Sequence, residues 1–449
     1  MTFNFLRSQP AIEPLQDPAE IASTYRHWRI RTMYSMFIGY AVFYFCRKNL
    51  SSATPALIHD LGLTKTQLGS IWSMLYLTYG VSKLVNGIIG DRANPRYFMA
   101  IGLILSAVTN IFFGMSASIT VLGILWAFNG WFQGMGWPPC ARLLTHWYSP
   151  NERGTSWALW NTAHQVGGGL ILVLAGYLTE HYGWRASFYV PAGIGVLCSL
   201  FILNRLRDTP ESLGLPSIED YRNDHSGASK KGAPDATMPM REIFFKHVLR
   251  NRQIWFLSFA NFFVYLVRYG AMDWAPTFLV EVKHSTVANA SYKTALFEVA
   301  GIAGSILAGR LTDTKFAGKR ATLNVLYMIG LIFAVLGFWL MPEGHPYLEC
   351  FSLAAVGFLV YGPQMMVGIC AADAGGKYAA ATATGFTGLF GYLGGIASGI
   401  GTGWVVDHFG WSGGFIFFTA SAVLGALCFV ATGDRKVILE TPAPAIDAN

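Results

Sequence analysis

Charge is what this sequence has least of. Asp, Glu, Lys and Arg make up 13% of its 449 residues, against about a quarter in a soluble domain. A chain so poor in charge cannot cover a water-facing surface of ordinary composition. Paired cysteines are missing too. Cys46, Cys140, Cys198, Cys350, Cys370 and Cys428 each lie in or beside an apolar run, with no Cys-x-x-Cys among them. They read as small core residues, so neither a disulfide framework nor a metal site is expected. There is no Gly-x-x-x-x-Gly-Lys-Ser/Thr stretch, so neither ATP nor another cofactor is implied. No nucleophile–base pair suggests an enzyme. No short apolar core with a small-residue cleavage site precedes the first long apolar run, which argues against a cleaved signal peptide.

What is abundant is apolar. Hydrophobic residues reach 53% and aromatics 15%, and mean hydropathy is +0.39. Lipid is the solvent this composition fits, and a spanning helix needs about 20 mostly apolar residues. Apolar runs predict helices near 31–50, 67–90, 97–116, 119–141, 156–179 and 186–204. A second set falls near 253–281, 289–311, 321–341, 347–371, 379–406 and 412–432. The expected fold is therefore all-α, with twelve transmembrane helices in two six-helix bundles. The bundles cover 1–204 and 253–449, and a polar linker, 205–252, joins them.

The net charge of +7 could suggest nucleic acid, but its distribution suggests topology. With the N-terminus placed in the cytoplasm, 24 of the 32 Lys and Arg fall on inner segments. Only Lys65, Arg185, Lys283 and Lys293 fall outside. That bias matches the positive-inside rule. It leads us to expect a multi-pass membrane protein with both termini cytoplasmic.

The two sets of helices are copies. Gly176-Tyr-Leu-Thr-Glu-His-Tyr-Gly-Trp184 aligns with Gly403-Trp-Val-Val-Asp-His-Phe-Gly-Trp411, and Gly87-x-x-x-Asp91 with Gly309-x-x-x-Asp313. Tyr44-x-x-Arg47 aligns with Tyr265-x-x-Arg268. Two parallel repeats place a substrate near mid-membrane between the halves. The repeat resembles the architecture of major facilitator transporters. Gly87-x-x-x-Asp91-Arg92 resembles that superfamily's loop signature, read here as a conformational latch rather than a substrate contact.

Four cations lie at membrane depth: Arg47, Lys48, Lys83 and Arg268. Each costs about 2.5–3.5 kcal/mol to insert and needs a partner, water or a function. Arg47 and Arg268 hold equivalent positions, and a two-fold axis would bring both onto one cavity. Paired guanidiniums make a clamp for a phosphate dianion. The alternative is that each arginine snorkels to an interface or neutralises Asp273 or Glu298. Tyr40, Tyr44, Arg47 and Lys48 share one helix face, and Asn261, Tyr265, Arg268 and Tyr269 repeat the spacing. Tyr76, Tyr79 and Lys83 form a second polar stripe, and Trp157, Asn161 and His164 a third. Such stripes serve packing as well as binding. His164 could follow phosphate protonation or simply bond a neighbouring helix. Asp273 and Glu298 read as counter-ions to Lys48 or the arginines in the empty state rather than as contacts of an anionic ligand.

Several stretches resemble the organophosphate:phosphate antiporter family. They are Gly130-Trp-Phe-Gln-Gly-Met-Gly-Trp-Pro-Pro-Cys140, Trp160-Asn-Thr-Ala-His-Gln-Val-Gly-Gly-Gly169, Val264–Gly270 and Gly385–Gly395. The resemblance runs from about 30 to 432. Met272–His284 and Asp208–Pro216 look like the glycerol-3-phosphate branch, whereas Phe43–Lys48 and Tyr79–Lys83 also fit the hexose-phosphate sensor. The resemblance implies a phosphate clamp at Arg47 and Arg268, supported by Lys48, Lys83, Asn161 and His164. It implies cavity tyrosines at Tyr40, Tyr44, Tyr79, Tyr265, Tyr361 and Tyr392. Thr162 stands where relatives often carry Cys, and Phe297 and Val299 flank Glu298 where they carry Tyr. The expected activity is exchange of glycerol 3-phosphate for inorganic phosphate by alternating access in a lipid bilayer, by a monomer that binds no nucleic acid. A hexose-phosphate antiporter or a membrane sensor of the same family is the alternative. A proton-coupled carrier of neutral sugars would favour an acid in the first helix, which has none.

Overall fold

The computed structural model describes residues 6–90, 92–224, 243–316 and 318–434. Helix α1 spans Pro18–Leu61, far beyond the apolar run at 31–50. Asp17 caps it by accepting from the Ala19 N–H, Pro18 occupies its first turn, and Gly62 ends it in the left-handed region at φ 62°. Nothing between these signals stops a helix outright, so polar residues simply extend it. Then follow α2 (Lys65–Gly90), α3 (Pro95–Met115), α4 (Ile119–Gln133), α5 (Trp137–Trp147), α6 (Pro150–Asn161), α7 (Ala163–Tyr182) and α8 (Ala186–Arg205). Trp137-Pro138-Pro139 separates α5 from α4, because a proline ring cannot continue the ladder behind it.

After the short α9 (Ile218–Arg222), the second half contains α10 (Arg252–Glu281), α11 (Val287–Asp313), α12 (Arg320–Leu340), α13 (Pro346–Ile396) and α14 (Thr402–Thr432). The last two are interrupted at Gly376 (φ 62°) and Gly410 (φ 67°), where a side chain would be strained. Among the described residues, seven helical stretches are long and apolar enough to cross a membrane. α1 and α2 are not among them; α1 buries Arg47 and Lys48, which lower its hydropathy.

Each half has its own apolar core. One centres on Met36, Phe43, Leu103 and Trp147, the other on Val264, Phe278, Phe297 and Val360. A third cluster joins the halves, packing Leu50, Trp72 and Tyr76 against Tyr269 and Trp274. It lies toward the face that carries 62–64 and 407–411, here called the far face.

Two carboxylates staple that face. Asp407 accepts from Lys65 N (3.2 Å), Thr66 N (2.7 Å) and Thr66 Oγ1 (2.6 Å), capping the free amides at the start of α2. Glu180 accepts from Ala288 N (2.7 Å), capping α11. Glu180 and Asp407 are partners in the sequence repeat, so one contact is the pseudo-symmetric image of the other. Beneath Asp407, Ser73 Oγ donates to Ile396 O (2.8 Å) and accepts from Ile400 N (2.9 Å). A Cβ on Gly69 would overlap the Gly399 carbonyl there.

At the opposite, terminal face, residues 6–15 lie across the first half. Asp208 is fully buried and accepts from Ser8 Oγ (2.6 Å), Gln9 N (2.9 Å) and Arg142 Nη2 (3.1 Å). Leu15 N donates to Gly214 O (2.8 Å), and Asn151 N to Asp224 Oδ2 (2.9 Å). The start of the polar linker, 208–224, is thus fastened to the first half. Residues 225–242 lie outside the described part.

Candidate functional site

α1 and α10 bring Arg47 and Arg268 to the joint between the halves, 5% and 3% exposed. Each guanidinium faces the tyrosine one turn before it: Arg47 lies 3.9 Å from the Tyr44 ring centre and Arg268 5.9 Å from that of Tyr265. The matching geometry follows from the repeated Tyr-x-x-Arg. Arg47 also lies over Tyr79 (5.0 Å), and Arg268 over Tyr269 (4.9 Å) and Tyr361 (4.6 Å). Rings of negative face potential stabilise these cations without cancelling their charge.

Two paths of aromatic contact connect the arginines. His164 stands between Tyr44 (5.7 Å) and Tyr361 (6.0 Å), which contact Arg47 and Arg268 in turn. On the other side Tyr392 contacts Tyr79 (5.2 Å) and Tyr265 (6.1 Å). Tyr40 packs on Tyr44 (5.8 Å) and Trp160 (5.0 Å). All eight of these tyrosine and histidine positions except Tyr269 are among the residues expected from the sequence.

The acids divide their work. Asp273 receives Lys48 Nζ at 2.6 Å and Ser51 Oγ at 3.0 Å, and also accepts from Tyr76. Lys48 is 1% exposed and turned toward Asp273, so in this conformation it closes the far side of the joint. Glu298 does not touch Arg268 directly. Tyr361 relays between them, accepting from Arg268 Nη2 at 2.8 Å and donating to Glu298 Oε2 at 2.5 Å. Among the described residues Arg47 forms no ion pair, and the buried Nε of both arginines and Glu298 Oε1 lack hydrogen-bond partners. A buried donor left unpaired costs about 1–3 kcal/mol, a cost that an incoming acceptor would relieve.

Lys83 lies nearer the terminal face, donating to Tyr392 Oη (3.3 Å) with Trp137 5.0 Å away. A cavity of about 300 Å³ opens there between Gly80, Pro138, Gly388 and Tyr392. Asn161 is exposed and gives its carbonyl to His164 Nδ1. Arg92 sits in the turn after α2, away from this centre, where Arg92 O accepts from Ser8 N (3.4 Å). Asp91 lies outside the described residues. Sequence reasoning missed Ser51, although it continues the Tyr44–Arg47–Lys48 face of α1 by one turn, and Trp137, which no periodic signal marks. It also missed the staples, although Glu180 and Asp407 stand inside the repeated motif.

The family model "Major Facilitator Superfamily" matches residues 36–399. The chain is 47% identical to the "Probable hexose phosphate transport protein" of Chlamydia pneumoniae, covering 95% of this chain and 96% of that one. It is 44% identical to the "Glycerol-3-phosphate transporter" of Bacillus subtilis (96% and 99%). Identity to the "Membrane sensor protein UhpC" of Escherichia coli is 41% (94% and 96%).

The chain belongs to the organophosphate:phosphate antiporter family of the Major Facilitator Superfamily. It is a multi-pass membrane protein and not an enzyme. The major facilitator fold also appears in a solved bacterial homologue of the human lysosomal transporter Spinster, inward-facing and occupied. That structure has a TM-score of 0.73 at 16% identity, covering 90% of this chain and 97% of its own. In a major facilitator protein the joint between halves is where alternating access takes place, and Arg47 and Arg268 flank that joint.

Proposed function

We propose that this transporter exchanges an organic phosphate, glycerol 3-phosphate in the first instance, for inorganic phosphate by alternating access. The observation that carries the reading is the pair of buried, pseudo-symmetric guanidiniums with unmet donors. At formal charge, Arg47, Lys48, Lys83 and Arg268 stand against Asp273 and Glu298. Two positive charges are left over, the complement of a phosphate dianion. Without cargo, bringing the halves together over the site strips water from uncompensated cations, which is costly. A bound dianion removes that penalty, so the loaded carrier reorients and the empty one stalls. That difference is what makes exchange obligatory. The aromatic walls and Trp137 leave an apolar and hydroxyl-rich surround for the organic part. The far-face staples correspond to closure on the outside, with both termini in the cytoplasm of a bacterial inner membrane, as the 24-to-4 distribution of Lys and Arg supports.

A hexose phosphate is the second reading for the cargo, supported by the 47% identity to a hexose phosphate transport protein. Sensing without flux is the third, supported by the resemblance to the sensor. The test is phosphate exchange in proteoliposomes. Arg47→Lys and Arg268→Lys each forfeit planar two-point binding, and about 3 kcal/mol of lost contact slows exchange more than 100-fold. Near-normal exchange by either folded variant refutes the clamp. Competition of labelled phosphate uptake by glycerol 3-phosphate and by glucose 6-phosphate ranks the cargos, and binding without uptake would favour the sensor.

A further inference from the structure

Away from the joint, a groove of about 1170 Å³ opens between the terminal-face ends of α1 and α6. Its basic wall is Arg26, Arg29 and Arg222; its apolar wall is Ile30, Met33 and Leu159. Ile30 and Leu159 are 62% and 56% exposed. One acid serves two of the arginines: Glu152 lies 2.6 Å from Arg29 Nη2 and 3.5 Å from Arg222 Nη2. Arg26 forms no ion pair among the described residues, and Arg29 Nε is buried without a hydrogen-bond partner. The groove therefore holds two surplus positive charges and an unfilled donor.

Aromatic side chains mark its depth: Tyr34 and Tyr148 line it, with Tyr148 under Arg29 (4.9 Å). Trp28, outside the groove on the same stretch of α1, lies under Arg31 (4.7 Å) and Arg207 (4.6 Å). A belt of Trp, Tyr and Arg marks the headgroup level of a bilayer. On one side of that level the groove offers guanidiniums, and on the other exposed aliphatic side chains. Anionic lipids are recognised by this combination, basic groups at the interface with an apolar channel below. A free solute would find no apolar partner of its own there.

We propose that this groove holds one anionic glycerophospholipid, its phosphate on Arg26, Arg29 and Arg222 and an acyl chain along Ile30, Met33 and Leu159. The experiment titrates the full-length purified protein in detergent with phosphatidylglycerol, phosphatidylcholine or inorganic phosphate, and reads the melting temperature. Native mass spectrometry counts the lipids retained. Phosphatidylglycerol should raise the melting temperature of the parent protein and remain bound as a single copy, and phosphatidylcholine should do neither. The double variant Arg26→Gln/Arg222→Gln should lose at least tenfold in apparent lipid affinity, while Arg26→Lys keeps most of it. Both should melt near the parent temperature without lipid. Equal responses to the two lipids would overturn the proposal, and so would undiminished phosphatidylglycerol binding by the double variant. Displacement of the lipid by millimolar phosphate would reassign the groove to the solute path and also overturn it.

Discussion

Asp273→Asn isolates one charge at the joint. In the closed far face Lys48 is 1% exposed, and Asp273 is its ion-pair partner at 2.6 Å. Removing one member of a buried pair costs about 3–5 kcal/mol, because the remaining charge is left uncompensated. The same lysine reaches water once the far face opens, so the cost falls almost wholly on the closed state. At about 1.4 kcal/mol per tenfold, the open-to-closed ratio should rise by two to three and a half orders of magnitude. Tyr76 and Ser51 also donate to Asp273, and an amide oxygen can keep one of these bonds, which favours the lower end. The assay is a distance distribution between spin labels at Asp60 and His408, both on the exposed far face. The parent should give mainly the short distance and Asp273→Asn mainly the long one. Lys48→Met/Asp273→Leu should restore the short distance, since it buries neither charge. An unchanged distribution in Asp273→Asn, with the protein folded, would refute the reasoning that this pair holds the far face shut.

Glu180→Gln and Asp407→Asn each weaken a helix cap worth about 1 kcal/mol; the same label pair should show about a fivefold shift for each, adding in the double variant because the staples share no partner. Gly69→Ala sets a methyl group against the Gly399 carbonyl, so it should open the far face and slow exchange at least tenfold, read by spin-label distance and phosphate counterflow. Tyr361→Phe leaves Arg268 Nη2 and Glu298 Oε2 without their shared hydroxyl; at about 1–3 kcal/mol, phosphate affinity should fall some five- to 100-fold by calorimetry, with insertion intact. Asp208→Ala removes the carboxylate that Arg142, Ser8 and Gln9 share; residues 6–15 should become protease-sensitive and the melting temperature should drop.

The arginine pair was legible because it is doubly signalled: a charge where lipid forbids one, and the same charge at the matching point of a repeat. Tyr40, Tyr44 and Tyr265 followed from helical spacing along α1 and α10, and Tyr79 from the stripe on α2, whereas Tyr361 and Tyr392 on α13 came only from the family resemblance. The acids were recognised as counter-ions to Lys48 or the arginines, but which acid takes which cation was left open. Nothing in local spacing says that Asp273, on α10, takes Lys48 of α1, or that Glu298 meets Arg268 only through Tyr361 on α13. Such links depend on how helices cross, which sequence periodicity does not record. The length of α1 escaped for a different reason. Apolar runs mark where lipid lies, whereas caps at Asp17 and Gly62 mark where the helix lies, and the two boundaries need not coincide. The linker is a further case: its polarity marked it as the join between the bundles, but not that Asp208 within it would be fully buried.

In both staples one partner is a main-chain amide. Lys65, Thr66 and Ala288 give their backbone N–H groups to Asp407 and Glu180. Every amino acid except proline carries that group, so the main-chain part of each contact survives substitution, and only the Thr66 hydroxyl, which also donates to Asp407, ties the seam to a side chain on that side. The acidic ends have no such latitude. Descendants of this chain should therefore vary more on the donating side of each contact and keep an acid on the accepting side.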